Sequence, residues 1–378
     1  MRSYHMRKDD SGIVIRTVSA IVFLTFTFLW LYFFQSDVLA VAQHVLSSGQ
    51  THYDRLVGAL LITLVLWFLQ IGVSAVVRLR NRMYALTYVP SMLLLGAIGY
   101  VPAQGQHGAW WWFALLMLLW CGVVWMVRGY LRLESGMRRR IVRSLWGNML
   151  VLAVMMAVVG AMSNTDAVFH YRARMESCLL DNRIDDALRT GNRSLETDAS
   201  LTMLRAYALS KKGQLGESLF SYPVAGRGAD LVPLGSSRTL RYPQDSIYRH
   251  LGAIPRQSMD TRSYLTALER SGKATAAVGD YVLCGQLIDR NLDAFAHTIT
   301  RYYEVADSLP LPRHYREALT LYTHLRSNPV VVSHHPVTEE DYADLQELER
   351  QYADFNERKV KVLEKYFGSY WYYYEYMK

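Results

Sequence analysis

Residues 145–162 read LWGNMLVLAVMMAVVGAM and form the last long apolar run of this chain. These 18 residues contain no Asp, Glu, Lys or Arg and are long enough to cross a bilayer as a helix. Long apolar runs recur before this stretch, whereas charged residues are spread through the sequence after it. The sequence therefore predicts a transmembrane domain over residues 1–162 and a soluble domain over residues 163–378.

The two halves differ in charge. Residues 1–162 contain 14 Lys and Arg against 5 Asp and Glu, whereas residues 163–378 contain 27 against 28. The basic excess lies in short segments next to the apolar runs, which is typical of membrane topology signals. It is not clustered within the soluble domain, as a nucleic-acid-binding surface would require. Nucleic acid is therefore not an expected partner.

Five apolar runs are long enough to be membrane spans. They are residues 17–34, 57–77, 83–101, 109–127 and 145–162, and none has a charged residue in its interior. Aromatic residues such as Trp30 and Trp146 lie near their ends, as in an interfacial belt. Pro90 lies inside the third run and should kink that helix, because proline removes one backbone hydrogen bond. The fold expected for this half is an all-α bundle of five transmembrane helices.

The connections between these runs predict the orientation in the membrane. Lys and Arg remain on the cytoplasmic side, and three alternate segments hold thirteen of them against only Arg55 in the other two connections. The thirteen are Arg2, Arg7, Lys8, Arg16, Arg78, Arg80, Arg82, Arg128, Arg132, Arg138, Arg139, Arg140 and Arg143. This predicts a bacterial inner-membrane protein with a cytoplasmic N-terminus and a periplasmic C-terminal domain. A cleavable signal peptide ending near Ala40 and Ala42 is the alternative for the first run.

The polar residues inside the runs are few and uncharged. Gln70, Ser74, Thr87, Ser91 and Asn148 are typical of interhelical hydrogen bonds. Ion coupling or intramembrane catalysis usually requires ionisable groups at depth. A transporter or membrane enzyme that uses Gln70, Asn148 and the Pro90 kink is therefore a less favoured hypothesis.

The soluble half has a helical pattern with an internal echo. Residues 179–187 (LLDNRIDDA) match residues 287–295 (LIDRNLDAF), where an apolar helix end meets a polar turn and a new helix begins. The offset of 108 is three units of 36, close to the 34-residue period of tetratricopeptide repeats. A nearer echo lies at Leu215. These segments resemble divergent tetratricopeptide repeats, which are interrupted by a loop-rich insertion over residues 221–262 that holds at most one short helix.

No motif for chemistry is found in the sequence. There is no nucleophile elbow, zinc-binding motif or phosphate-binding loop. His314 and Glu317 lie one helical turn apart but lack a third metal ligand, and His334 lies in a predicted loop. We predict no catalytic residue, cofactor or metal, and repeat helices favour binding over catalysis. Cys178 and Cys284 either pack as buried thiols or pair in an oxidising compartment.

Polar and aromatic positions on adjacent helices are the candidate contacts for a partner. They are Tyr281, Tyr302, Tyr303, Arg313, Tyr315 and Arg316. A last helix is predicted over residues 338–366, followed by an aromatic tail over residues 370–376 that contains Trp371. The tail has two interpretations. Its stacked aromatic rings either bind sugars or lie at a bilayer interface, or they close the last repeat as a cap.

Three segments carry a resemblance to a known family. GDYVLCGQLIDRNLDAF (279–295), HYREALTLY (314–322) and YFGSYWYYY (366–374) resemble an uncharacterised family of membrane proteins from Bacteroidota. The resemblance implies N-terminal membrane spans and a C-terminal helical-repeat region, and it implies no activity.

Two functions remain open after the sequence analysis. The leading expectation is a membrane-anchored periplasmic scaffold that binds an envelope protein. The alternative is a component of envelope glycan or lipid handling that holds its ligand beside the bilayer.

Overall fold

The computed structural model describes residues 2–79, 81–100, 111–133, 141–306 and 310–377. The chain divides into two compact units, Met1–Asp166 and Ala167–Lys378. The described residues contain helices and no strand, so the all-α class is confirmed. Each unit has its own buried apolar core.

The helices of the first unit follow the apolar runs. They are α1 Arg2–Leu29, continued by a π-helical turn Trp30–Phe34, then α2 Ser36–Leu46, α3 Arg55–Val77, a 3₁₀ helix Asn81–Tyr88, α4 Val89–Gly99, α5 Trp111–Leu133 and α6 Ile141–Met162. Within the described residues, four helices are long and apolar enough to cross a membrane. They lie at Gly12–Phe34, Arg55–Val77, Trp111–Gly129 and Val142–Met162.

The third predicted run is not a membrane-length helix, and the prediction of five such helices is wrong at this point. Arg78 ends α3 in the left-handed region at φ 47°. A 3₁₀ helix follows, and Pro90 lies in the first turn of α4. A proline at this position needs no backbone N–H, so it starts a short helix instead of kinking a long one. Residues 101–110 and 134–140, which include the ends of the predicted third and fourth runs and Arg138 to Arg140, lie outside the described residues, as does Arg80.

Side chains from three neighbouring helices form hydrogen bonds with the 3₁₀ helix Asn81–Tyr88. The Gln70 amide donates to the Tyr84 hydroxyl at 3.1 Å and the Thr87 hydroxyl at 3.0 Å. Asn148 Oδ1 accepts the backbone N–H of Ala85 at 2.7 Å, and the Trp120 indole donates to the Leu86 carbonyl at 2.9 Å. Irregular backbone at membrane depth requires such protein partners. The predicted interhelical role of Gln70 and Asn148 is confirmed.

The 3₁₀ helix and α4 together form one broken segment, Asn81–Gly99, which runs beside α6. Its start is fixed by the Ala85–Asn148 bond, and its end by the bond from Asn164 N–H to the Gly99 carbonyl at 2.8 Å. These contacts are sixteen positions apart, which is the length of about 24 Å of helix, and the last two positions lie beyond the end of α6 at Met162. Along the broken segment, the four 3₁₀ residues 85–88 rise about 2.0 Å each and the eleven α-helical residues 89–99 rise about 1.5 Å each. Their total length is also about 24 Å. The 3₁₀ stretch lets a short segment match a longer helix.

The second unit is built from helices that are joined mostly by short turns. They are α7 Ala167–Leu180, α8 Ile184–Arg189, α9 Ala199–Lys211, α10 Leu215–Ser218 with a 3₁₀ turn Leu219–Ser221, a 3₁₀ helix Gly228–Leu231, α11 Gln244–Leu251, α12 Thr261–Arg270, α13 Ala277–Ile288, α14 Leu292–Tyr302, α15 Arg313–Leu325, α16 Pro336–Gln351, α17 Phe355–Tyr366 and α18 Tyr370–Tyr376.

One turn recurs and explains the sequence echo. Asn182 after α7 and Arg290 after α13 are both left-handed, at φ 55° and 54°. In each turn this residue donates its N–H to the carbonyl three positions back, and the next residue donates to the carbonyl five positions back. This is the Schellman arrangement that ends a helix, and it recurs at Gly213 and Gly272. The helix–turn–helix prediction is confirmed at both echoed positions.

A regular tetratricopeptide array is not confirmed. The helices α8 and α10 have only 6 and 4 residues, which is too short for the second helix of such a repeat. The predicted last helix is also wrong in extent, because it is divided into α16 and α17. Asp354 caps α17 by accepting the N–H groups of Asn356 and Glu357 at 2.9 Å, so the chain restarts a helix there.

The insertion over residues 221–262 is packed into the core of the second unit. Its buried residues include Leu231, Tyr242 and Ile247. The buried carboxylate of Glu176 accepts the backbone N–H groups of Leu240, Arg241 and Tyr242 at 2.6–3.1 Å. The insertion contains one short α-helix, α11, as predicted, and a 3₁₀ helix in addition.

Candidate binding cleft in the C-terminal unit

The aromatic tail is a short buried helix. Gly368 adopts φ 90°, and Ser369 then caps α18 by accepting the Tyr372 N–H at 3.2 Å. Tyr370 and Trp371 are 0% and 3% exposed. Rings at this depth pack against α15 and α17 and do not lie free for a bilayer. The interpretation that these rings lie at a bilayer interface therefore does not fit the structure, and the sugar-binding and capping interpretations stay predictions.

A buried carboxylate ties α18 to α15. Glu317 accepts Arg313 Nε at 2.7 Å, contacts His314 Nδ1 at 3.0 Å and accepts the Tyr370 N–H at 2.6 Å. The Trp371 indole donates to the Glu317 carbonyl at 2.8 Å. Burial alone would raise the pKa of Glu317, but the His314 bond, the neighbouring positive charges and the Tyr370 N–H together hold it below its usual value. We call this group the Glu317 clasp.

Beside the clasp, α15 to α18 enclose a half-open cleft of about 290 Å³. This volume is at the lower end of the range for ligand pockets, about 300–1,000 Å³. Aromatic and aliphatic side chains form most of the lining, with two carboxylates and one guanidinium. The residues are Leu321, Tyr342, Leu345, Glu349, Phe355, Arg358, Trp371, Glu375 and Tyr376.

The polar groups of the cleft are only partly paired. Glu349 Oε1 accepts the Tyr376 hydroxyl at 2.6 Å, and burial together with this bond raises the pKa of Tyr376. Arg358 lies over the Phe355 ring, 5.8 Å from its centroid, and its buried Nε has no hydrogen-bond partner among the described residues. Glu375 is exposed at the rim. The cleft thus offers unused donors and acceptors above an aromatic floor.

The predicted contact residues do not form one exposed surface. Tyr281 and Tyr315 are 1% and 0% exposed, so the assumption that they are available to a partner is wrong. Tyr315 and Tyr303 both donate to Asp280 Oδ1, at 2.8 and 2.7 Å, and burial raises the pKa of both phenols. They form a structural hydrogen-bond cluster in which Tyr315 is buried and Tyr303 is half-buried.

The remaining predicted contact residues are more accessible, except one. Tyr302 and Arg316 are half-buried, and Tyr302 donates to Glu269. The Arg313 side chain is 47% exposed although it belongs to the Glu317 clasp. Trp371 is buried and lines the cleft. A role in partner binding stays a prediction for Tyr302, Tyr303, Arg313 and Arg316.

The titratable residues considered for metal binding have other partners. His314 belongs to the Glu317 clasp, and His334 Nδ1 lies 3.1 Å from Glu339. Among the described residues, no group of three or more His, Cys, Asp or Glu side chains is placed to hold a metal. Cys178 and Cys284 are both free and buried, so the disulfide alternative does not apply.

Comparison with known proteins finds a family model that matches part of the chain. Residues 253–377, about a third of the chain, match the model of a family of unknown function (DUF6057). The match contains all the cleft residues and the Glu317 clasp. No curated protein and no solved structure matches the sequence. The resemblance to a family of unknown function is confirmed for this third of the chain, while the Bacteroidota source stays a prediction.

Sequence reasoning missed Glu349, Phe355, Arg358 and Glu375. These residues are distributed over three helices, and no spacing in the sequence brings them together. The signal in the sequence was the aromatic tail, which contains Trp371 and Tyr376 of the cleft and for which sugar binding was one interpretation.

Proposed function

We propose that this protein is an envelope membrane protein that holds its helical C-terminal unit on the periplasmic side, where that unit binds another envelope protein. Four membrane-length helices support membrane association. The main support for this orientation is the broken segment Asn81–Gly99, which extends beside α6 for about 24 Å. This length covers most of the hydrocarbon core of a bilayer, which is about 30 Å thick.

The arginine distribution supports a fifth crossing by this broken segment. With four crossings, Arg78 to Arg82 and Arg128 to Arg143 would lie on opposite sides of the membrane. With a fifth crossing at residues 81–99, all thirteen basic residues lie on the cytoplasmic side, in agreement with the positive-inside rule. The C-terminal unit is then periplasmic.

The orientation is tested with reporter fusions to the full chain and to a truncation. Alkaline phosphatase fused after Lys378 should be active, and green fluorescent protein at the same place should be dark. Fusions after Leu79, where the chain is expected to be cytoplasmic, should give the opposite pair of results. A fluorescent fusion after Lys378 would place the C-terminal unit in the cytoplasm and overturn the proposed orientation.

The binding role is tested by crosslinking in intact cells, followed by purification in mild detergent and mass spectrometry. We expect one stoichiometric envelope protein, with its yield reduced severalfold by alanine at the half-buried positions Tyr302 and Arg316. Arg350→Ala is the matched control, because its side chain is 76% exposed and pairs only weakly with Glu347. An unchanged partner yield in both test variants would remove this contact assignment.

The second candidate function is a component of envelope glycan or lipid handling. The cleft between α15 and α18 favours it, because that cleft combines aromatic rings with unpaired polar groups. In this case the C-terminal unit holds a small ligand beside the membrane.

A further inference from the structure

We propose that the cleft formed by α15 to α18 binds a neutral sugar ring, with Glu349, Arg358 and Glu375 as the hydrogen-bonding residues. This inference rests on the second candidate function and names its ligand class. It assigns a site to residues that no sequence pattern connects.

The charges of the cleft disfavour an anionic ligand, which would meet Glu349 and Glu375, the two carboxylates of the lining. A cationic ligand would need an aromatic face beside these carboxylates, and the guanidinium of Arg358 already lies over the Phe355 ring. A neutral ligand with several hydroxyl groups is repelled by neither sign.

A sugar ring can form hydrogen bonds with negatively and positively charged side chains at the same time. Its hydroxyl groups donate to carboxylate oxygens and accept from a guanidinium, and hydrogen bonds to charged groups are the stronger ones. Glu349 has one oxygen engaged by Tyr376 and a second carboxylate oxygen for a ligand. The buried Arg358 Nε lacks a partner among the described residues, and a ligand oxygen would satisfy it.

The floor of the cleft suits the apolar face of a sugar. Leu321, Leu345, Tyr342 and Trp371 are each at most 8% exposed and line the cleft. The Trp371 N–H is already bonded to the Glu317 carbonyl, so this indole presents carbon atoms and not a donor. The C–H groups of a pyranose pack on such a surface, while its hydroxyls reach the rim.

The test uses the full chain in nanodiscs of phosphatidylethanolamine and phosphatidylglycerol, because maltoside and choline detergents carry the chemistry under test. Saturation-transfer NMR is recorded with the neutral sugars N,N′,N″-triacetylchitotriose, maltotriose and cellotriose, and with tetramethylammonium and hexanoate as ionic comparators. We expect at least one trisaccharide to bind and both ions to fail. Glu349→Gln and Arg358→Gln should each weaken binding about tenfold or more.

Two further variants separate binding from folding. Arg350→Gln should leave sugar binding unchanged, and Glu375→Gln, at an exposed rim position, should weaken it without moving the thermal unfolding transition. The proposal is overturned if no trisaccharide binds to chain with an intact transition, if both cleft variants bind as the native chain does, or if an ionic comparator binds instead. Each of these results is independent of the orientation and crosslinking experiments.

Discussion

Glu317→Ala is expected to destabilise the C-terminal end of the chain by about 3–5 kcal/mol, because removing this buried carboxylate leaves two buried polar groups without a partner, at about 1–3 kcal/mol each. Glu317 is 3% exposed. Its loss strands the Tyr370 N–H and the His314 ring in the core, and it releases Arg313.

Hydrogen exchange of the full chain in nanodiscs measures this effect locally. Amides in α15 and α18 should exchange more than about a hundredfold faster in Glu317→Ala, which corresponds to a loss of at least about 3 kcal/mol. The matched control is Glu347→Ala, since the Glu347 side chain is 63% exposed and its ion pair with Arg350 is long, at 3.8 Å. That variant should stay within about 0.5 kcal/mol of the native chain. Equal exchange in the two variants would show that the clasp does not stabilise α18.

The same variant has a defined dependence on pH. Because the folded-state pKa of Glu317 lies below its usual value of 4.5, the carboxylate stabilises the fold fully above about pH 4.5. This stabilisation is lost as the pH falls through the lower folded-state pKa. The difference in exchange between the native chain and Glu317→Ala should therefore shrink below pH 4.5.

The clasp also links stability to the candidate cleft. Glu317 holds Trp371 through its backbone carbonyl and holds Tyr370 through its carboxylate. Trp371 forms part of the cleft floor and Tyr376 of its wall. The orientation of α18 that the clasp maintains is thus the orientation that shapes the cleft.

Apolar periodicity and turn chemistry predicted the helices well where local signals determine them. At the two echoed turns, α7 and α13 end and α8 and α14 begin where the sequence predicted a helix end and a new helix. The broken segment was not predicted because hydropathy does not report backbone geometry. Residues 83–99 are as apolar as a span, but Gln70, Asn148 and Trp120 supply the hydrogen bonds that make a 3₁₀ start possible, and these lie far away in the sequence.

The candidate site was less predictable than the fold. Exposure was inferred from residue type, yet Tyr281 and Tyr315 are core residues because Asp280, Gly216 and neighbouring helices enclose them. A tyrosine serves a core or a surface equally well, since it has an apolar body and a polar tip. The cleft depends on the break at Asp354, which brings α17 back beside α16, and a single long helix would not form it.

Gly228→Ala is expected to destabilise the C-terminal unit by about 3 kcal/mol, at the upper end of the cost of overpacking. A Cβ atom on Gly228 would lie 2.4 Å from the Gly285 carbonyl oxygen. The backbone fixes the position of the added Cβ atom and of the Gly285 carbonyl oxygen, so no side-chain rotation relieves the clash. Separating the insertion from α13 would also strain the bond from the Gly228 N–H to Asp289, now 2.8 Å.

Gly285→Ala at the other side of this contact provides the control, because the approach of the two backbones is not symmetric. A Cβ atom on Gly285 would lie 3.6 Å from Gly228 Cα, an ordinary van der Waals distance. Gly285 is inside α13, where alanine favours the helix by about 1 kcal/mol. Thermal unfolding and exchange in α13 should therefore show Gly228→Ala clearly destabilised and Gly285→Ala equal to or more stable than the native chain. Equal losses in both variants would mean that both backbones exclude a Cβ atom at this contact, and equal tolerance would mean that the insertion is not docked on α13 through it.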